Sequence, residues 1–137
     1  MTRIAFTIPG TPKGKGRPRF SRKSGAAFTP KETRNHEAYV KMLAAKAMEE
    51  AVLGPFDGPV KVVINVMCEV PASWSKKKKA LAAANILRPT TGDLDNVVKA
   101  ATDAMNSVVY KDDRQIYRIE ATRMFADQAL TSVEVFG

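Results

Sequence analysis

The chain has 137 residues, 45% of them hydrophobic and 26% charged, with a net charge of +8 and one cysteine. That length suits a single domain with room for a core, and the composition excludes a wholly disordered chain. A lone cysteine excludes an intramolecular disulfide, and no Cys/His spacing fits a zinc site. The first ten residues hold too few apolar positions for a signal peptide or a membrane span, so a cytoplasmic protein with no membrane partner is expected.

Residues 3 to 8 put Ile4, Phe6 and Ile8 on alternate positions, the period of a half-buried strand. Residues 9 to 30 are rich in Gly, Pro, Ser and basic side chains, which predicts a long loop without regular structure. Thr29 as N-cap and Glu32 as its capping-box partner open a long helix. Its stripe runs through Tyr39, Val40, Leu43, Ala44, Ala47 and Ala51, and Gly54-Pro55 stops it. Residues 60 to 70 place Val60, Val62, Ile64, Val66, Cys68 and Val70 on one face of a central strand.

Within residues 71 to 87, Ser73 or Ser75 caps a short helix that begins with Lys76 to Lys79. Residues 88 to 92 form a turn-rich connection, after which Leu94, Val97, Val98, Ala101, Met105 and Val108 trace a third helix. Residues 115 to 125 and 130 to 136 alternate around a turn at 126 to 129, predicting an antiparallel hairpin. The expected fold is α+β. One domain spans residues 1 to 137 in the order β-α-β-α-α-β-β, with helices packed against a central mixed sheet.

The charge is unevenly placed. Residues 1 to 30 hold seven basic side chains, Arg3, Lys13, Lys15, Arg17, Arg19, Arg22 and Lys23, and no acid, whereas the remainder is nearly balanced. Such a segment is either a solvated loop or a polyanion-binding arm, and the concentration of charge favours DNA contact. Glycines and prolines let the backbone approach a phosphate strand, with Lys13, Lys15, Arg17, Arg19, Arg22 and Lys23 reaching it and Arg88 adding a further contact. Phe20 and Phe28 either pack the loop ends or wedge into a junction.

Chemistry concentrates in residues 91 to 116. Asp93 and Asp95 sit where a loop enters the third helix, with Lys99 one turn further on, and a second acidic pair, Asp112 and Asp113, precedes the final strands. Asp93 or Asp95 is otherwise a helix cap, and Lys99 its i,i+4 partner. Convergent carboxylates repel unless a cation sits among them, and magnesium is held by carboxylates together with water and substrate phosphates. Three aspartates and a lysine beside a basic arm thus fit phosphodiester hydrolysis. Lys99 either neutralises charge on the phosphoryl group or, if desolvated, helps deprotonate water.

The block GDLDNVVKAATDAMNSVVYKDDRQI, residues 92 to 116, resembles the core motif of the RusA-type Holliday-junction resolvases. In that motif DLDN, a lysine four residues later and a downstream DD pair recur. IPGTPKGKGRPRF, residues 8 to 20, is similar to the PxPKxRPR element of phage-borne members. The resemblance implies a small homodimeric nuclease that recognises four-way DNA junctions by their structure and cuts two strands symmetrically with magnesium, manganese being a possible substitute. It implies that Asp93, Asp95 and Asp113 are the metal-binding aspartates, that Lys99 is the catalytic lysine, and that Asp112 stands behind the metal ligands. Two other readings are a non-catalytic architectural DNA-binding protein and a nuclease for other branched nucleic acids. A pure binder, however, gains nothing from four aspartates beside its phosphate ligand.

The remaining candidates are structural. His36, the one histidine, is expected at the surface or an interface, and Cys68 in the core. Trp74 covers either the core edge or a dimer contact. The Lys76 to Lys79 run confers solubility or binds DNA. Paired cuts in a two-fold junction call for two active sites, and the alanine-rich stripe of the first helix is the expected dimer interface.

Overall fold

β-branched residues dominate residues 60 to 69, and in the computed structural model they form the interior strand around which the fold is built. The structure describes residues 1 to 14, 19, 20, 27, 28 and 31 to 137, with side chains described for 1 to 14 and 35 to 137. The elements are β1 (Arg3–Pro9), β2 (Arg19–Phe20), β3 (Ala27–Phe28), α1 (Lys31–Glu50), β4 (Val60–Glu69), α2 (Lys76–Ala83), α3 (Leu94–Ala104), a 3-10 turn (Asp113–Gln115), β5 (Ile116–Ala126) and β6 (Leu130–Phe136).

The main sheet has the order β1-β6-β4-β5, with β4 antiparallel to β6 and parallel to β5, so it is mixed as expected. The expected hairpin is overturned. β5 and β6 run antiparallel but do not pair, because β4 lies between them, with Val62 flanked by Ile119 and Val135. The three residues 127 to 129 pass round the end of β4, across two strand spacings of about 4.8 Å each. A second correction concerns residues 9 to 30. β1 extends to Pro9, and β2 and β3 form a two-rung antiparallel ladder inside the stretch expected to lack regular structure. Arg19-Phe20 and Ala27-Phe28 are each free of the Gly and Pro that weaken a ladder.

One face of the sheet presents Ile4 and Ile8 of β1, Val60, Val62, Ile64 and Val66 of β4, and Val133 and Val135 of β6, all buried. α1 contributes Val40, Ala44 and Met48 to this core, and α3 contributes Ala101 and Ala104. Leu43 and Ala47 of the α1 stripe are half-buried against this core, while Tyr39 and Ala51 lie outside it, exposed. α1 ends in a Schellman motif: the amide of Val52 bonds to the Glu49 carbonyl and that of Leu53 to the Met48 carbonyl. Val52 occupies the left-handed position, φ 56°, so the stop precedes Gly54. The capping residue expected at Thr29 lies outside the described residues.

Ser75 caps α2, its Oγ accepting from the amide of Lys78. Trp74 is half-buried, edge-on to Phe125 of β5 at 5.1 Å, with the Lys78 ammonium 4.2 Å above its ring. Cys68 is half-buried against the core, and burial pushes its thiol up while the Arg123 charge opposes the rise. α3 stops at Ala104, before Val108, because Ser107 adopts φ 68° and its amide bonds to the Tyr110 carbonyl. Met105 and Val109 remain buried beyond the helix end. Among the described residues no helix is long and apolar enough to cross a membrane.

Candidate active site at helix α3

The loop before α3 is fixed at several points. Pro89 is buried, Gly92 takes φ +80°, and Asp93 follows in extended conformation as the N-cap. The Arg123 guanidinium of β5 donates through Nη1 to the carbonyls of Thr91 (3.2 Å) and Gly92 (2.9 Å). Arg88 donates in turn to the Arg123 carbonyl at 3.1 Å. Asp93 occupies the cap position, yet its carboxylate makes no capping bond to the backbone. Its Oδ2 instead accepts from Asn96 Nδ2 at 3.3 Å. The capping role considered for Asp93 is thus absent from its side chain.

Along α3, Asp95, Lys99 and Asp103 recur every four residues, which puts them on one stripe, exposed at Asp95 and Lys99 and half-buried at Asp103. Lys99 does not pair with Asp95. Its ammonium stands 3.8 Å from Asp103 Oδ2, with 62% of the lysine side chain exposed. Lys99 lies off the apolar face, while Ala100, Ala101, Thr102 and Ala104 turn inward.

Asp112 and Asp113 arrive from the segment after α3. Asp112 caps the 3-10 turn, accepting from the amide of Arg114 at 2.9 Å. Gln115 completes a capping box, its Oε1 accepting from the amides of Lys111 and Asp112. A side-chain hydrogen bond with Asp112 holds the Asp113 carboxyl above the usual range, as do burial and the charges of Asp112 and Asp103; Lys99 pulls it back. Asp112 is held low, chiefly by the Arg114 amide.

The structure therefore brings Lys99, Asp103, Asp112 and Asp113 into one electrostatic group. Asp95 lies one turn before Lys99, about 6 Å along the axis, and Asp93 stands at the helix entrance. Asp103 is the residue that sequence reading missed, although its four-residue step from Lys99 and eight-residue step from Asp95 were visible. Among the described residues no three His, Cys, Asp or Glu side chains form a group able to hold a metal ion.

Of the basic residues, Lys13 is exposed where the arm leaves β1, and Arg88 is exposed and bonded to the Arg123 carbonyl. Arg19 is described only as backbone on β2, and Lys15, Arg17, Arg22 and Lys23 lie outside the described residues. The arm passes close to α3: a Cβ on Gly14 would meet Asn96 Cβ at 3.0 Å, so any larger residue here needs its neighbour to give by a few tenths of an ångström. Between arm, loop and sheet lies an open cleft of about 740 Å³, whose lining includes Gly14, Arg88, Asp93, Trp74, Arg123 and Phe125.

Comparison with known proteins places these features in a family. The chain is 34% identical over 140 residues to YqaN, an uncharacterized protein of Bacillus subtilis (strain 168), covering 98% of this chain and 96% of that protein. The family model described as endodeoxyribonuclease RusA matches residues 9–136, which takes in the arm, the acidic helix and strands β4, β5 and β6 of the sheet. The chain therefore belongs to the RusA family of endodeoxyribonucleases, the Holliday-junction resolvases.

Proposed function

We propose that the protein is a magnesium-dependent, structure-selective endonuclease that resolves four-way DNA junctions as a homodimer by paired symmetric cuts. The observation that carries this reading is the position of Lys99. It is a cation between Asp95 on one side and Asp103, Asp112 and Asp113 on the other, on the helix against which the basic arm enters.

The donor chemistry suits a hard divalent ion. Every candidate ligand is a carboxylate oxygen, the Asp93 carboxylate is not used as a helix cap, and the acids around Asp113 crowd like charge that a cation relieves. The family resemblance assigns Asp93, Asp95 and Asp113 to the ion, with water and DNA phosphate completing its shell as is usual for magnesium, although among the described residues these three do not stand together as a ready-made ligand group. When bound, the ion supplies charge neutralisation at the phosphorus and a more acidic water. Manganese, with the same preference for oxygen ligands, is the natural substitute.

The chain's own groups do the rest. Lys99, exposed and paired at 3.8 Å, presents a positive charge to a phosphoryl oxygen, since a base amine needs a desolvated pocket that this surface position lacks. Asp112, bonded to the Arg114 amide, fixes the turn that carries Asp113. Lys13, Lys15, Arg17, Arg19, Arg22 and Lys23 of the arm track the backbone and set position without reading sequence. The two-fold symmetry of a junction calls for two such sites, hence the homodimer. The cytoplasm is where such a substrate is met.

The test is a labelled four-way junction incubated with and without magnesium, using the wild type and the variants Asp93→Asn, Asp95→Asn and Asp113→Asn. Paired nicks should require the metal, and each variant should lose cleavage while retaining junction binding. Magnesium-dependent cutting by Asp95→Asn at the wild-type rate would remove that residue from the site. Equal cutting of flaps and forks would widen the substrate class.

A further inference from the structure

β5 pairs with β4 so that Ile119, Ala121, Arg123 and Phe125 share the face turned toward the helices, beside Val62, Ile64, Val66 and Cys68. A cation on that face requires a reason, because the adjacent residue, Val66, is fully buried. The hydrogen bonds supply one. The Arg123 guanidinium reaches the Thr91 and Gly92 carbonyls, and Arg88 from the start of the same loop donates back to the Arg123 carbonyl. Both ends of residues 88 to 92 are thereby tied to one position on the sheet, and the next residue is Asp93. Gly92, at φ +80°, is a point at which an untethered loop can turn. We infer that Arg123 is a positioning residue which, reciprocally clamped with Arg88, holds the Asp93 carboxylate at the entrance of α3 in the orientation the cation and the scissile phosphate require.

This inference rests on the assignment of Asp93 proposed above and adds residues that do not themselves touch metal or DNA. A guanidinium suits the task because the two N–H groups of Nη1 are held in one plane and serve the two neighbouring carbonyls, whereas an ammonium is a compact charge with no fixed donor plane. Arg88, expected from sequence to contact DNA, becomes the other half of the clamp.

The experiment compares Arg123→Met, Arg123→Lys and Asp93→Asn in the full chain. Without metal, amide hydrogen exchange across residues 91 to 95 should accelerate on the order of tenfold in Arg123→Met, while the buried part of α3 stays protected. Junction affinity in chelator should stay within about twofold of wild type. In single-turnover cleavage the magnesium concentration giving half the maximal rate should rise on the order of 10- to 100-fold, the scale for losing a group that orients a metal ligand. Arg123→Lys should fall between.

Unchanged exchange together with an unchanged magnesium midpoint overturns the inference. A defect confined to junction affinity in chelator also overturns it, by making Arg123 a DNA contact. If Arg123→Met does not fold, Arg88→Met is read in its place, with the same direction of change expected and the same results counting against it. Wild-type cutting by Asp93→Asn would overturn the underlying site assignment as well. An inactive Asp93→Asn beside an unaffected Arg123→Met would overturn the role of Arg123 alone.

Discussion

Lys99→Ala separates a catalytic cation from a surface ion pair, because the two roles differ in size. The ammonium stands 3.8 Å from Asp103 with 62% of its side chain exposed, so the pair stabilises the fold by about 0.3 kcal/mol after screening by solvent. Alanine is the better helix former, which offsets part of that. The net change is below about 0.5 kcal/mol, a shift of roughly 2 °C or less in Tm for a domain of this length. Loss of a transition-state cation costs on the order of 10²-fold in rate, or about 2.7 kcal/mol of barrier. Removing Lys99 also removes the charge that opposes the upward displacement of Asp113, so the acidic group becomes more crowded. The assay is single-turnover cleavage of a labelled junction at saturating magnesium, alongside a thermal melt and a junction Kd in chelator. A 10²-fold slower variant with unchanged Tm and Kd is expected, and Lys99→Arg should recover part of the rate. A folded Lys99→Ala that cuts at the wild-type rate would reduce this lysine to a partner of Asp103.

Three further outcomes are expected. Neutralising Lys13, Lys15, Arg17 and Arg19 together should weaken binding to all DNA and lower the slope of log K against log salt by about 0.9 for each DNA phosphate left without its basic partner; an unchanged slope would make the arm a mere connection. Val52→Gly should raise stability by about 1 kcal/mol, because a β-branched residue at φ 56° is strained and this one is almost fully exposed, and a lower Tm would contradict the Schellman assignment. Burial and Lys13 hold the His36 ring below its ordinary 6.5, with Glu37 pulling the other way. The unfolded chain therefore takes up the proton first, so this contribution is complete above the ordinary value and is lost as pH falls from there toward the folded value. Urea unfolding at pH 7.5 and 5.5 should show a smaller difference for His36→Gln than for the wild type; equal differences would refute it.

Element order was legible from sequence because each segment is one-sided: β4 alternates every two residues, and α3 shows an apolar stripe at helical spacing. Strand pairing was not. Two alternating strands joined by a few polar residues read as a hairpin whether they bond to each other or to a third strand between them, and Val60 to Val66 supply that third strand from over fifty residues earlier. At the site, the charges clustered in sequence were found, and the charge that tertiary packing adds was not. Asp103 looks like an ordinary helix-surface residue until Asp113 folds back beside it. Arg123 interrupts the apolar phase Ile119, Ala121, Phe125 of an edge strand, and the register that sets it beside Val66 and the loop carbonyls it serves comes only from the fold.

The acidic turn is held largely by neutral groups, which bears on how its charges are used. Tyr110, fully buried, donates to the Thr102 carbonyl at 2.6 Å, and burial together with Asp113, Asp103 and Asp112 drives its phenol far upward, so it remains a donor. Thr102 bonds back to the Val98 and Lys99 carbonyls, joining the turn to the helix segment that carries the lysine. On the other side, Gln115 Nε2 donates to the carbonyls of Phe56 and Gly58 at 2.7 and 3.0 Å while its Oε1 takes the Lys111 and Asp112 amides. Lys111 and Asp57 add an ion pair at 2.8 Å, but both side chains are exposed and such pairs contribute little. A turn anchored through a phenol, a hydroxyl and an amide keeps its geometry whatever the charge state of Asp113. Apart from the Asp112 cap, position is therefore set by uncharged hydrogen bonds, and Asp113 can answer to a cation and a phosphate without the turn depending on its charge.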